Sequence, residues 1–169
     1  MVSPQTILGI DPGLRTMGIA VLGSRARLLH GAVLTSPRTL SLARRFKHLA
    51  DQLEDLLARY KPDLVALEAT WPSKNPSLAL LHRVGKLCER RVTARRIRMV
   101  SVPSATVRRH LLGDGWATKR DTAKVIASVY PELRIYLRQN KTWKEHYFEN
   151  LFDAVAVALY AHQTRRRSS

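Results

Sequence analysis

The segment Ile7-Leu8-Gly9-Ile10 is apolar enough to read as a buried strand, yet it runs directly into Asp11 and then Pro12-Gly13. A carboxylate at the end of a core strand is costly unless it is paired or binds a metal ion. A second apolar run, Leu64-Val65-Ala66-Leu67, ends in Glu68. A third, residues 151–160, has an apolar helical pattern and carries one acid, Asp153. Three isolated acids embedded in core-forming sequence point to one composite site for hard divalent cations. Spacing alone leaves an alternative open, in which the three are unrelated and each pairs with a nearby Arg.

The order of elements shows how the acids could meet. Residues 6–10, 17–22 and 27–34 read as three consecutive strands, with turns at Pro12-Gly13 and around Gly23-Ser24. Ser36-Pro37-Arg38 opens a helical pattern in which Leu42, Phe46, Leu49, Leu53, Leu56 and Leu57 recur until Lys61-Pro62. Residues 63–68 form a short buried strand, 69–76 a loop with Trp71, and 77–91 a helix. Residues 98–102 are another strand, and a helix opens at Pro103-Ser104. After the break at Gly113-Asp114-Gly115, Thr118 is placed to cap a helix reaching Val129. Residues 131–144 read as an irregular connection and 145–162 as the final helix. Three hairpin strands followed by alternating helices and strands predict a mixed α/β sheet of about five strands flanked by helices. If the strands ending in Asp11 and Glu68 are neighbours, both acids reach one sheet edge, where ligands of open α/β sheets gather.

At 169 residues, 45% of them hydrophobic, the chain suits a single domain, expected over 1–164 with a disordered basic tail at 165–169. Lys and Arg total 29 against 13 acids, a formal charge of +16, which points to a polyanion and most simply to nucleic acid. A solvated basic surface is the bland alternative. Basic residues interrupt every apolar run, so no membrane span is expected. The start lacks a basic stretch followed by a long apolar one, so no secretory signal is expected and a cytoplasmic, nucleoid-associated location is. The single cysteine, Cys88, leaves no internal disulfide and no thiolate zinc site, and reads as a small core residue. Gly9, Gly13 and Gly18 do not match a phosphate-binding glycine pattern; Gly13 reads as a turn residue.

With these residues in view, the stretch 7–18 resembles the opening motif of RuvC-type Holliday junction resolvases, which have a ribonuclease H-like fold. The resemblance extends through Glu68-Ala69-Thr70-Trp71, Lys74-Asn75, Gly113-x-Gly115 with Lys119, and Asp153-Ala154. It implies a homodimer that binds four-way junction DNA and cuts two strands at symmetric positions, using Mg²⁺ or Mn²⁺, two ions per site. It also implies a RuvA–RuvB-like branch-migration complex as a partner. Asp11, Glu68 and Asp153 then become catalytic metal ligands. The family usually has Asp or His three positions before the last catalytic Asp, and this chain has Asn150 there. Asn offers a neutral oxygen to a hard cation but cannot act as a base. Glu149 shares a helix face with Asp153 at i−4 and is the alternative ligand. His146, two turns from Asp153, reads as a surface residue.

On the DNA side, the resemblance places an aromatic wedge at Trp71. It also places DNA contacts at Lys74, Asn75, Arg108 and Lys119, the last serving as a catalytic cation beside the scissile phosphate. Trp116 and Trp143 default to core or interface packing. Further cations cluster at Arg83, Lys86, Arg90, Arg91, Arg95, Arg96 and Arg98, where solvated and DNA-bound roles are equally consistent with the sequence. The helix from Ser77, with Leu78, Leu80 and Leu81, is apolar beyond one buried stripe; the resemblance places such a helix at the dimer interface, and simple core burial accounts for it equally well. Two other functions remain open at this stage: a nuclease of the same fold acting on other substrates, and a non-catalytic junction-binding protein. Sugar kinases and actin-like ATPases share a similar first strand but need two such domains.

Overall fold

The computed structural model describes residues 6–137 and 142–166, with residues 142–146 and 166 described by backbone alone. Its strands are β1 (Ile7–Asp11), β2 (Thr16–Leu22), β3 (Leu28–Thr35), β4 (Leu64–Glu68) and β5 (Arg98–Val102). They form one sheet in the order β3-β2-β1-β4-β5. β1, β2 and β3 pair antiparallel as successive hairpins, and β4 and β5 add on in parallel. The five-stranded mixed sheet expected from the sequence is therefore the one observed.

Helices α1 (Leu42–Tyr60) and α2 (Pro76–Ala94) cover one face; α3 (Ser104–Leu112), α4 (Lys119–Val129) and α6 (Thr142–Arg166) cover the other. The short α5 (Arg134–Leu137) lies between α4 and α6. Strand alternation divides the core in two. Leu8, Ile10, Ile19, Val21, Val65 and Leu67 pack against α1 and α2, whereas Ile7, Ala20, Leu22, Leu64 and Ala66 pack against α6 and its neighbours. Cys88 is buried in the first cluster, and burial pushes its thiol up to about 12, so it is an inert packing residue.

Several boundaries differ from the sequence expectation. The first helix begins at Leu42, with Ser41 as its cap accepting from Arg44 N at 3.4 Å. Ser36 is instead buried and donates its hydroxyl to the Leu14 carbonyl, tying the Pro12–Arg15 turn to the sheet. The hairpin after β2 is a 3₁₀ turn at Ser24–Ala26, with Arg25 and Ala26 at φ of 57° and 58°. The supposedly irregular connection contains a 3₁₀ turn at Pro131–Leu133 and then α5. Proline is well suited to a first helical position, where no N–H donor is needed, and Leu133 anchors the turn in the core. α6 starts at Thr142 rather than 145 and continues through Arg165 and Arg166. Residues 138–141 and 167–169, and the side chains of Trp143 and His146, lie outside the described residues.

Candidate active site

Strand parity brings the first two acids together. Ile7 and the position of Gly9 face α6, so Asp11, two further on, does too. In β4, Leu64 and Ala66 face α6, and Glu68 follows in the same sense. The parallel register runs from Ile7 opposite Leu64 to Ile10 opposite Leu67, and one more step sets Asp11 beside Glu68.

α6 supplies the third. A Cβ on Gly9 would collide with the Ala154 carbonyl and approach Ala158 Cβ to 2.8 Å, and a Cβ on Gly18 would collide with the Asn150 carbonyl. Two glycines on adjacent strands thus let the α6 backbone rest directly on the sheet. A side chain as short as Asp153 can then reach the strand ends. Asp11, Glu68 and Asp153 each offer an oxygen within 4.8 Å of the other two.

The electrostatics follow from that crowding. Asp11 is 7% exposed and Asp153 5%. Burial, reinforced by Glu68 and Asp153, raises the Asp11 carboxyl well above its usual range. Burial and Asp153 push Glu68 up to about 7. Lys119, the first residue of α4, places Nζ 3.0 Å from Asp153 Oδ2 and 4.0 Å from Glu149 Oε2. Burial disfavours its ammonium, but attraction from Asp153, Asp11 and Glu68 outweighs this and holds its pKa above that of a free lysine. Asp153 Oδ2 is buried and receives no hydrogen bond of acceptable geometry, Lys119 being close but misaligned. One ammonium facing three converging carboxylates leaves them under-compensated. Such an oxygen-only donor set suits a hard cation such as Mg²⁺ or Mn²⁺, and the residues present fit a divalent metal.

The acids open onto a cleft of about 560 Å³, also lined by Leu14, Arg15, Arg45, Lys119, Asn150 and, from α2, Ser77, Leu78, Leu80 and Leu81. The sequence matches the family described as crossover junction endodeoxyribonuclease RuvC over residues 7–162. The chain belongs to that family. Its relatives of that description include one from Maricaulis maris, 29% identical with 96% of this chain and 93% of the relative aligned. Another, from Granulibacter bethesdensis, is 31% identical over 96% of this chain and 88% of the relative. Among solved structures, Thermus thermophilus RuvC superposes with a TM-score of 0.75 at 22% identity, covering 97% of both chains. The same protein in complex with a Holliday junction substrate gives 0.74 at 23% identity, over 95% of this chain and 96% of that one. The fold is thus that of RuvC, and the enzyme class is an endodeoxyribonuclease with an acidic cluster of metal-binding character.

The remaining sequence-predicted residues fall into distinct settings. Asn150 lines the cleft, but its amide nitrogen donates to Thr16 O at 2.5 Å and to Thr16 Oγ1 at 2.9 Å, fixing α6 to the start of β2. Only its Oδ1 is left to turn toward a cation. Arg108 is half-buried on α3 and close enough to lower the Glu68 pKa, partly opposing the effect of burial. Trp71 is 67% exposed in the loop after β4. That loop is held by Thr70, whose hydroxyl lies 3.3 Å from His82 Nδ1 of α2. Lys74 is exposed. Asn75 caps α2, its Oδ1 accepting from Ser77 N at 2.9 Å and Leu78 N at 3.2 Å.

Part of the basic cluster on α2 is paired within the chain: Lys86 with Glu89 at 2.6 Å, and Arg91 and Arg95 with Glu54 at 3.8 and 2.7 Å. Trp116 is 93% exposed, which excludes the core half of the core-or-interface expectation. Its loop turns outward because Asp114 accepts from Trp116 N at 2.8 Å, fixing the backbone ahead of α4. Sequence reasoning missed Arg45, whose guanidinium binds Ser36 Oγ at 3.0 Å and Leu14 O at 3.3 Å and braces the turn after Asp11. No local pattern marked it, since its partners are distant in sequence. Among the described residues, no helix is long and apolar enough to cross a membrane.

Proposed function

We propose that this chain resolves Holliday junctions, hydrolysing one phosphodiester in each of two symmetric strands, with Mg²⁺ or Mn²⁺ held by Asp11, Glu68 and Asp153. The observation that carries this reading is the convergence of the three acids within 4.8 Å beside Lys119, in a cleft on a strongly basic protein. The Thermus relative solved with a Holliday junction substrate supports the choice of substrate. Bound as a pair, the cations supply Lewis-acid stabilisation of the phosphate and of the attacking water. The protein groups do the rest. Asp11 and Glu68 hold fixed positions because both end neighbouring strands, and Asp153 is held by the close seating of α6. Lys119 keeps a permanent positive charge at the cleft, where it neutralises charge building on the phosphate. Asn150 adds a neutral oxygen through Oδ1. Arg108 and Lys74 bind backbone phosphates, which position DNA without reading its sequence, and Trp71 stacks on a base opened at the crossover. Asn75 acts by holding the first turn of α2 and with it this DNA-facing loop.

A homodimer would present two such sites to a junction of matching two-fold symmetry. The half-exposed Leu78 and the partly buried Leu80 and Leu81 at the cleft rim supply apolar surface for it. Delivery by a RuvA–RuvB-like branch-migration complex and action in the cytoplasm complete the proposal. The test is cleavage of a mobile four-way junction in MgCl₂ and in MnCl₂, against a linear duplex, an RNA–DNA hybrid and the Asp11→Asn protein. Paired symmetric nicks in the junction alone, absent with Asp11→Asn, are expected. Cutting of the hybrid instead would assign another nuclease substrate. Tight junction binding without cutting would assign a binding module.

A further inference from the structure

Two tryptophans of this chain stand in solvent. Trp71 is already part of the proposed DNA interface; Trp116, at 93% exposed, has no partner among the described residues that explains it. An indole left in water forfeits the burial that makes tryptophan useful in a fold. The loop that carries it is not slack. Gly113 closes α3 at φ 79° with its N–H bonded to Arg109 O. Gly115 lies so close to α3 that a Cβ there would sit 3.1 Å from Ala105 O and 3.3 Å from the Arg109 guanidinium. Asp114 holds Trp116 N, and Thr118 and Asp121 cap α4 reciprocally. The exposed ring is therefore presented by a braced backbone.

Its position in the chain mirrors that of Trp71. Trp71 follows Glu68 by three residues, and Trp116 precedes Lys119 by three; Glu68 and Lys119 line the same cleft. Three residues span at most about 11 Å, or roughly three base steps along a strand at about 3.4 Å each. Arg108, Arg109 and Arg120 surround the loop in sequence and supply charge for a phosphate backbone. An aromatic face, fixed beside a cleft and bordered by cations, is the combination that binds unpaired nucleotides.

We infer that Trp116 is a second base-stacking platform, holding an unpaired base of the junction within about three nucleotides of the phosphate at Lys119. This rests on the junction-resolving reading above and extends it. Trp71 and Trp116 would then grip the opened strands from two loops, one after β4 and one before α4.

The experiment measures binding of a four-way junction and of a linear duplex of the same sequence, in an Asp11→Asn background that prevents cutting, for the parent, Trp116→Ala and Trp116→Phe. Trp116→Ala is expected to bind the junction roughly 5- to 100-fold more weakly. Trp116→Phe should stay close to the parent, and duplex binding should change little in either. Thermal unfolding should be the same in all three, because the ring is 93% exposed. In a Trp71→Phe, Trp143→Phe protein, Trp116 fluorescence should be quenched by the junction and not by the duplex. Unchanged junction affinity in Trp116→Ala would overturn the inference while leaving the resolvase reading intact. Equal loss on junction and duplex would overturn base stacking. A parent protein that does not prefer the junction would overturn both.

Discussion

Under α1 and α2 the sheet presents Leu8, Ile10, Ile19, Val21, Val65 and Leu67, and the helices stand off on large side chains. Under α6 it presents Ile7, Leu22 and Leu64 at one end but Gly9, Gly18, Ala20 and Ala66 nearer the acids, where the helix backbone rests against the strands. On the first face each buried side chain is large, and burial contributes about 25 cal/mol per Å² of apolar surface. The second has glycine and alanine near the acids, which allow close approach. Its small residues bring Asp153 to the ends of β1 and β4, where burial and mutual repulsion raise the pKa values of Asp11 and Glu68. Both faces are packed, but only the α6 side also holds a crowded cluster of charge that a cation would relieve.

The largest expected effect that separates the two faces is on chemistry. Asp11→Asn should lower junction cleavage by roughly 10³-fold or more, since it removes a ligand supporting several kcal/mol of charge stabilisation. The same change should raise the melting temperature of the metal-free protein by a few degrees, because it removes a buried like charge. A fall in both would show that Asp11 is a structural acid.

Next in size is packing. Gly9→Ala should cost several kcal/mol and separate α6 from the strands, exceeding the usual ~1–3 kcal/mol of an overpacked site because the collision is with backbone. Ile19→Val, on the other face, should cost only about 0.5–1.5 kcal/mol and leave cleavage unchanged. Chemical denaturation of the two proteins, with activity measured alongside, decides between equal and unequal faces.

A smaller effect is the pH dependence of the metal-free protein. Glu68 is pushed from 4.5 to about 7, so between those values the native protein retains a proton that the unfolded chain has released. That contribution to stability is fully present below pH 4.5 and is lost as pH rises through 7. The parent should therefore melt lower at pH 8 than at pH 5 relative to Glu68→Gln, and Mn²⁺ should shrink the difference. A parent and variant with parallel profiles would break the link between the cluster and its repulsion.

The smallest change is Asn150→Asp. It should tighten Mn²⁺ binding several-fold while lowering metal-free stability by about 1–3 kcal/mol, because the amide donors to Thr16 are replaced by an acceptor facing a carbonyl. Unchanged Mn²⁺ affinity, by calorimetry, would remove position 150 from the metal site.

The acids were legible in sequence because each broke an apolar run, a local conflict that needs only neighbouring residues to be seen. The five strands were legible for the same reason. The role of Gly9 and Gly18 was not: nothing near them announces a helix more than 130 residues away, and they drew notice only as a phosphate loop they did not form. Residues 151–161 are apolar on nearly every side, the mark of a helix buried all round, and that was the available sign of a close seat. Core burial, one of the two placements open for Trp116, fails because the Asp114 turn holds its backbone outside the core, a constraint that composition does not carry. The helical turns at 131–137 were hidden by Pro131, which begins a helix as readily as it ends one.

The most direct test of the shared site is calorimetric titration of Mn²⁺ into the metal-free parent, Asp11→Asn, Glu68→Gln and Asp153→Asn at pH 7.5. Saturable binding by the parent, weakened at least about tenfold (~1.4 kcal/mol) in each single variant, is the predicted result. Parent-like affinity in any one of the three would show that the acids do not hold a common cation, and would contradict the account.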